Sequence, residues 1–404
     1  MSELEFRPFD ADHHYYEAED AFTRHIDPKM AKRCMQWAEI GGKRRLLVGG
    51  RVNKFIPNPT FDPIAAPGSL EDYFRGRNAK GLDLKTMFGE LDPISQHPEY
   101  RDRTARVAQL DRQGLDGALL FPTLGVGMQE ALRRDLPALQ AAFRAFNCWL
   151  DEDWGFDRGD ERLFAAPMIS FAQPDLAEAE VDRVLGLGAR VLVTIPGPVP
   201  DGDGGYLSPG HPQFDGIWAR IAEAGVPLVI HAGLSGASHY GKFWRATPPG
   251  QGGGGFEGFR HAAFPLVAFA DRGISETLAA IICHGVLERF PTLRIASIEN
   301  GAMWVPDLLR NLNDAHGKMP FAFAEHPVEQ FRRNVWISPY YEDDMVRLRD
   351  AVGIDRLMFG SDFPHTEGLA EPVAFVRDIP EFDAAETRAV MRDNVREFMG
   401  LAAA

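Results

Sequence analysis

Eight short apolar runs, separated by stretches of helical periodicity, limit what this 404-residue chain can fold into more than any other feature. The runs are Phe6–His14, Asp116–Phe121, Leu163–Ile169, Ala189–Ile195, Pro227–His231, Leu293–Glu299, Val335–Ser338 and Leu357–Asp362. Uninterrupted runs of this kind suit strands buried on both faces of a parallel sheet. Between them lie helical patterns at Leu136–Glu152, Ala177–Leu187, Phe214–Ala224, Ile274–Phe290 and Asp343–Val352. In the first of these, Leu139, Ala142, Phe143, Phe146 and Leu150 form one apolar stripe. The alternation predicts an α/β protein, a closed (β/α)8 TIM barrel forming one domain over residues 1–404. An open doubly wound sheet is the alternative. Polar residues at the C-terminal ends of several separate strands favour the barrel.

Two segments break the repeat. Residues 15–101 follow the first strand and are rich in Pro and Gly, and residues 232–271 follow the fifth and carry the run Gly252–Gly255. Long inserts in a compact domain are commonly lids or binding elements. Both leave from the face where a barrel builds its active site. The glycine run lacks any phosphate-loop context and reads as lid flexibility.

Charge and cysteine usage exclude several classes of function. Lys plus Arg is 43 and Asp plus Glu is 58, a formal charge of −15. Backbone binding to nucleic acid needs clustered cations, so a nucleic-acid partner is not expected. Cys34, Cys148 and Cys283 have no CxxC spacing and imply neither a disulfide framework nor a thiolate metal site. No apolar stretch reaches the roughly 18 residues of a membrane span. The N-terminus has no signal-peptide pattern, and a cytoplasmic address is expected.

The chemistry concentrates at strand ends. The first strand closes with Asp10-Ala11-Asp12-His13-His14, and residues two apart in a strand share a side. Asp12 and His14 therefore project together, with His13 opposite. The fifth strand ends in His231, the sixth in Glu299-Asn300 and the eighth in Asp362, with His365 three residues on. A His or carboxylate closing an apolar strand needs a partner. Singly each reads as structural; together they converge on one barrel mouth. An N/O donor set without Cys fits a divalent Fe, Mn or Zn ion, and its carboxylate share favours Fe or Mn.

The motifs FDADHH, HGVLERFPTLR, IENGAMW and LMFGSDFPH resemble the amidohydrolase superfamily, in the branch of aminocarboxymuconate-semialdehyde decarboxylase. The resemblance implies a metal-dependent barrel that hydrolyses or non-oxidatively decarboxylates a small organic acid. It also implies metal ligands at Asp12, His14, His231 and Asp362, with Asp12 standing where the family has the first His of H-x-H. The family's strand-six acid/base His falls on Glu299-Asn300, so Glu299, Asn300 and His365 become the candidate catalytic residues. A second implied reading is a non-haem di-iron monooxygenase on the same barrel, acting on a bulky CoA-linked substrate. Glu299, His365 and Glu17 would then be spare ligands for a second ion. Homodimers are common among family members.

Arg51 and Asn53 in the first insert are candidate substrate contacts, since an Arg pairs a carboxylate or phosphate bidentately. Tyr15, Tyr16, Tyr340, Tyr341 and Trp304 are candidate pocket or core aromatics. His284 reads as a packed, hydrogen-bonded helix residue. Ser235 lacks a nucleophile-elbow context, which argues against a serine hydrolase. A non-catalytic barrel with a binding role is the third reading.

Overall fold

The computed structural model describes residues 4–78, 80–244, 263–269 and 271–402. Seven strands carry the barrel: β1 (Phe9–Tyr15), β2 (Gly117–Pro122), β3 (Leu163–Ala165), β4 (Leu192–Thr194), β5 (Leu228–His231), β6 (Ile295–Ile298) and β7 (Val335–Ile337). Parallel ladders join β1 to β2, β2 to β3, β4 to β5, β5 to β6 and β6 to β7. Parallel bridges make the remaining joins: Met168 to Val193, Ile337 to Leu357, and Phe363 to His13. Residues 357–363 are thus the eighth stave of a closed ring. A full strand is expected over Leu357–Asp362, but only bridges form there. Phe359 N donates to Val390 O of a C-terminal helical segment, and Asp362 turns out of extended geometry at φ 58°.

The helices follow the expected periodicity, with differences at their ends. Leu136–Asp153 is capped by Asp135, whose side chain accepts from Ala138 N, and it buries Leu139, Ala142, Phe143, Phe146 and Leu150. Pro174–Gly186 starts earlier than the apolar pattern, with Pro at its first position. Asp215–Ala224 and Met345–Val352 lie close to their expected bounds. The helix expected over Ile274–Phe290 is two helices, Arg272–Cys283 and Val286–Arg289. Gly285 separates them at φ 72°, a left-handed conformation that ends a helix. No helix among the described residues is long and apolar enough to cross a membrane.

The first insert is more ordered than its Pro/Gly content suggests. Met35–Ile40, Lys43–Val48 and Arg51–Val52 form an antiparallel sheet. Gly41-Gly42 and Gly49-Gly50, all at positive φ, supply the two-residue turns. In the second insert, Gly236–Trp244 and Ala263–Phe269 are helical, and the Gly252–Gly255 run lies outside the described residues.

Candidate metal centre

Strand β1 enters the site through a bulge: its register against β2 slips between Asp10 and His13. Asp10 holds this irregularity. Its Oδ1 accepts from Asp12 N and from Ser361 N, both at 3.0 Å, tying β1 to the eighth stave. The two staves approach closely at Gly360, where a Cβ would lie 2.8 Å from Asp12 Cβ and 2.5 Å from Ser338 Oγ. Asp12 and Asp362 are therefore presented side by side. Glu299 and Asp362 are two of five described non-glycine residues at positive φ, 56° and 58°. Such backbone costs about 1–3 kcal/mol and clusters at functional sites. Here it turns both carboxylates inward at the ends of β6 and the eighth stave.

His14 is the hub. Its Nε2 lies 3.2 Å from Asp12 Oδ1, 3.3 Å from Glu299 Oε2, 3.3 Å from Asp362 Oδ1 and 3.2 Å from His231 Nε2. His231 Nε2 also lies 3.1 Å from Glu299 Oε2. His365 stacks on His14 with ring centroids 4.0 Å apart, and its Nδ1 lies 2.6 Å from Asp362 Oδ1. One imidazole N–H cannot serve four neighbours. Asp12 Oδ1, Asp362 Oδ1 and His365 Nδ1 are buried without an aligned hydrogen bond.

The electrostatics carry the same imbalance. Burial lowers the His14 pKa, but Asp12 and Glu299 overcome it and lift the imidazole to about 10. Burial raises Asp12, yet the imidazoles of His14 and His231 hold it below the usual carboxylate range. Burial, then the charge of Glu299, pushes Asp362 up. Burial, then His14, pushes His365 down. Buried carboxylates and imidazoles with lone pairs left over are what a divalent cation requires.

Two overlapping groups of candidate ligands result: Asp12, His14, His231 and Glu299, and His14, Glu299, Asp362 and His365. Donor atoms within each group lie within 4.8 Å of one another. Three of the four expected ligands fall in the first group, and Asp362 falls in the second. Glu299 and His14 belong to both.

The other candidates divide. Asn300 Nδ2 donates to Ile230 O and Ile298 O, tying β5 to β6 beside Glu299, and the residue also lines the cavity. Arg51 and Asn53 line that cavity too. Asn53 Oδ1 accepts from Phe55 N. Glu17 is buried elsewhere, its Oε1 accepting from Leu124 N and Gly125 N, and it belongs to neither ligand group. Tyr340 and Tyr341 line the cavity, whereas Tyr15 packs on Trp149 and Trp154 and Trp304 donates to Gly301 O. Tyr16 hydrogen-bonds Pro364 O. Ser235 lines the cavity. His284 is exposed rather than packed, with Nδ1 2.6 Å from Ser208 Oγ, because the helix ends at Cys283.

Sequence reasoning missed Glu367, Glu342 and Asp343 on the cavity wall. Burial raises them to about 7, 7 and 6. The signal was present for Glu367, an acid five residues beyond Asp362.

A family model described as amidohydrolase matches residues 9–401. This chain belongs to the amidohydrolase family. It is an enzyme of that family, and the donor set at its barrel mouth fits a divalent metal ion. The amidohydrolase shares 44% identity with a solved amidohydrolase from Mycobacterium avium subsp. paratuberculosis K-10, over 98% of this chain and 100% of that one, at TM-score 0.91. A dihydroxybenzoic acid decarboxylase from Polaromonas sp. JS666, solved with manganese and 2-nitroresorcinol, superposes at TM-score 0.60 with 16% identity, over 85% of this chain and 98% of that one. That likeness is one of fold. The decarboxylase orsB of Emericella nidulans is 25% identical over 62% of this chain and 78% of its own length.

Proposed function

We propose that this amidohydrolase non-oxidatively decarboxylates or hydrolyses a small organic acid, with decarboxylation the preferred reaction. The observation that carries the reading is the convergence of Asp12, His14, His231, Glu299, Asp362 and His365 on one pocket. The decarboxylases of similar fold and sequence support it. A bound divalent ion would polarise the substrate's carboxylate or an adjacent oxygen, or ionise water.

The chain's own groups have distinct tasks in this reading. Asp12, His14 and His231 hold the ion, with Glu299 or Asp362 as the fourth ligand. Loss of CO2 leaves a carbon that must take up a proton. In this reading Glu299 and His365 move it. Glu299 has the most accessible side chain among the three carboxylates around His14, and His365 Nε2 hydrogen-bonds Thr123 Oγ1. Asn300 cannot take a proton at neutral pH and positions Glu299. Arg51, on the cavity wall, pairs an anionic group of the substrate in this reading.

The test is anaerobic turnover of hydroxybenzoates by manganese-loaded protein, with release of CO2 as the readout and metal per chain measured alongside. About one ion per chain and CO2 release without oxygen are expected. Protein that takes up no Mn, Fe or Zn overturns the reading in favour of a non-catalytic barrel.

The two overlapping ligand groups favour a second reading, a di-iron monooxygenase acting on a bulky CoA-linked acid. Two irons per chain with oxygen uptake would select it.

A further inference from the structure

Asp12, Glu299 and Asp362 of the candidate metal centre line a cavity of about 1020 Å³, at the upper limit of ordinary small-molecule pockets. Its wall carries eight acids, among them Asp12, Glu299, Asp362 and Glu367, and three cations, Arg51, Lys54 and Arg133. A second pocket of about 450 Å³ adjoins it and shares Arg51, Ala131 and Arg133. Its charged lining is Lys32, Arg33, Arg51, Arg133 and Arg134 against one carboxylate, Asp135. In a chain of net charge −15 this is a local reversal of sign.

Asp135 is already engaged. Its two oxygens accept from Arg33 Nε at 2.8 Å and Nη2 at 2.5 Å, and Oδ1 also caps Ala138 N. Arg133 pairs with Glu130 at 3.0 Å. Among the described residues, no carboxylate lies within ion-pair distance of Lys32, Arg51 or Arg134. Three chain segments bring these cations together. Gly49 N donates to Cys34 O at 2.9 Å, fastening the turn before Arg51 to the segment carrying Lys32 and Arg33. Arg133 and Arg134 follow the short helix Met128–Leu132. That leaves the exposed cations Lys32, Arg51 and Arg134 for a ligand, and guanidinium and ammonium groups on one pocket suit the several oxygens of a phosphate.

We propose that this second pocket binds a phosphate group esterified to the far end of the substrate, so that the acid presented to the metal centre carries a phosphorylated tail. The proposal rests on the preceding reading only for what happens at the acid end. Val52, Phe55 and Phe74 line the larger cavity and would cover the tail's carbon chain.

Calorimetry on the full, manganese-loaded chain tests this with inorganic phosphate and with geranyl phosphate. Saturable phosphate binding is expected. It should weaken at least about tenfold in Lys32→Ala/Arg134→Ala and stay unchanged in Lys29→Ala/Lys43→Ala, exposed cations outside the pocket. Geranyl phosphate should bind about tenfold more tightly than phosphate, since its chain leaves water. No saturable binding, equal loss in the control pair, or loss on metal removal overturns the phosphate site. Equal affinity for the two probes overturns the tethered tail in favour of a free-anion site. Phosphate binding by protein that holds no metal sustains this proposal and sinks the enzymatic one; metal uptake without phosphate binding does the reverse.

Discussion

His13 and His14 are neighbours in sequence, equally buried, and opposite in circumstance. His13 Nδ1 meets Arg106 Nη1 at 3.4 Å, and its Nε2 lies 3.1 Å from the single carboxylate oxygen Asp10 Oδ2, without an aligned hydrogen bond. Arg106 is anchored in turn by Glu99 O at 2.7 Å, and it lies over the ring of Phe363. Such a chain sets one charged neighbour against each imidazole nitrogen, a one-to-one arrangement. His14 instead crowds three carboxylates and a second imidazole around one nitrogen. The difference teaches that burial does not mark a functional histidine. A surplus of acceptors around it does.

Replacing each histidine in turn should break the pair apart most sharply. His14→Ala is expected to lose bound metal and to cut activity by more than about 100-fold, beyond what loss of an outer-sphere partner costs. Retained metal by elemental analysis would show that the hub has been misassigned. His231→Ala should behave alike. His13→Ala should keep its metal. It removes the ring that faces Asp10 Oδ2 and meets Arg106 Nη1, and urea unfolding should show a loss of about 3 kcal/mol, as for other broken buried pairs.

A smaller effect separates the two by pH. His14 is held at about 10, above its ordinary value of 6.5, so in metal-free protein it carries a proton at neutral pH. Metal binding must expel that proton, and apparent affinity should climb about tenfold per pH unit between about pH 7 and 9. A flat titration would mean that His14 is not displaced. Burial lowers His13 below its ordinary value, against the pull of Asp10. The unfolded chain then takes up the proton first, so His13 makes stability fall as pH drops through about 6.5. The smallest effect belongs to Arg51→Ala, which should raise KM about tenfold with kcat nearly unchanged, because Arg51 lines the cavity and offers no donor to a metal ion.

Much of this was legible in the residues. Period-two alternation in Asp12-His13-His14 separated the two histidines, and a polar residue closing an apolar strand marked His231, Glu299 and Asp362. Those signals are local, and strand geometry transmits them directly. The eighth stave was legible as an apolar run but not as a set of bridges, because Val390, a distant residue, takes the Phe359 N–H. The break at Gly285 and the ordered hairpin of the first insert depended on where left-handed glycines fell.

What the amino-acid order determined by itself is therefore the alternation that builds a barrel and the donors carried on its strand ends. Only the tertiary structure decided that Glu299 joins His14 in both ligand groups, while Glu17 is turned aside to two backbone N–H groups. Only it gathered Lys32, Arg51 and Arg134 into one pocket. The physical reason is range. Strand periodicity acts between neighbours, whereas a bulge, a left-handed turn and the meeting of three chain segments depend on contacts between residues far apart in the chain.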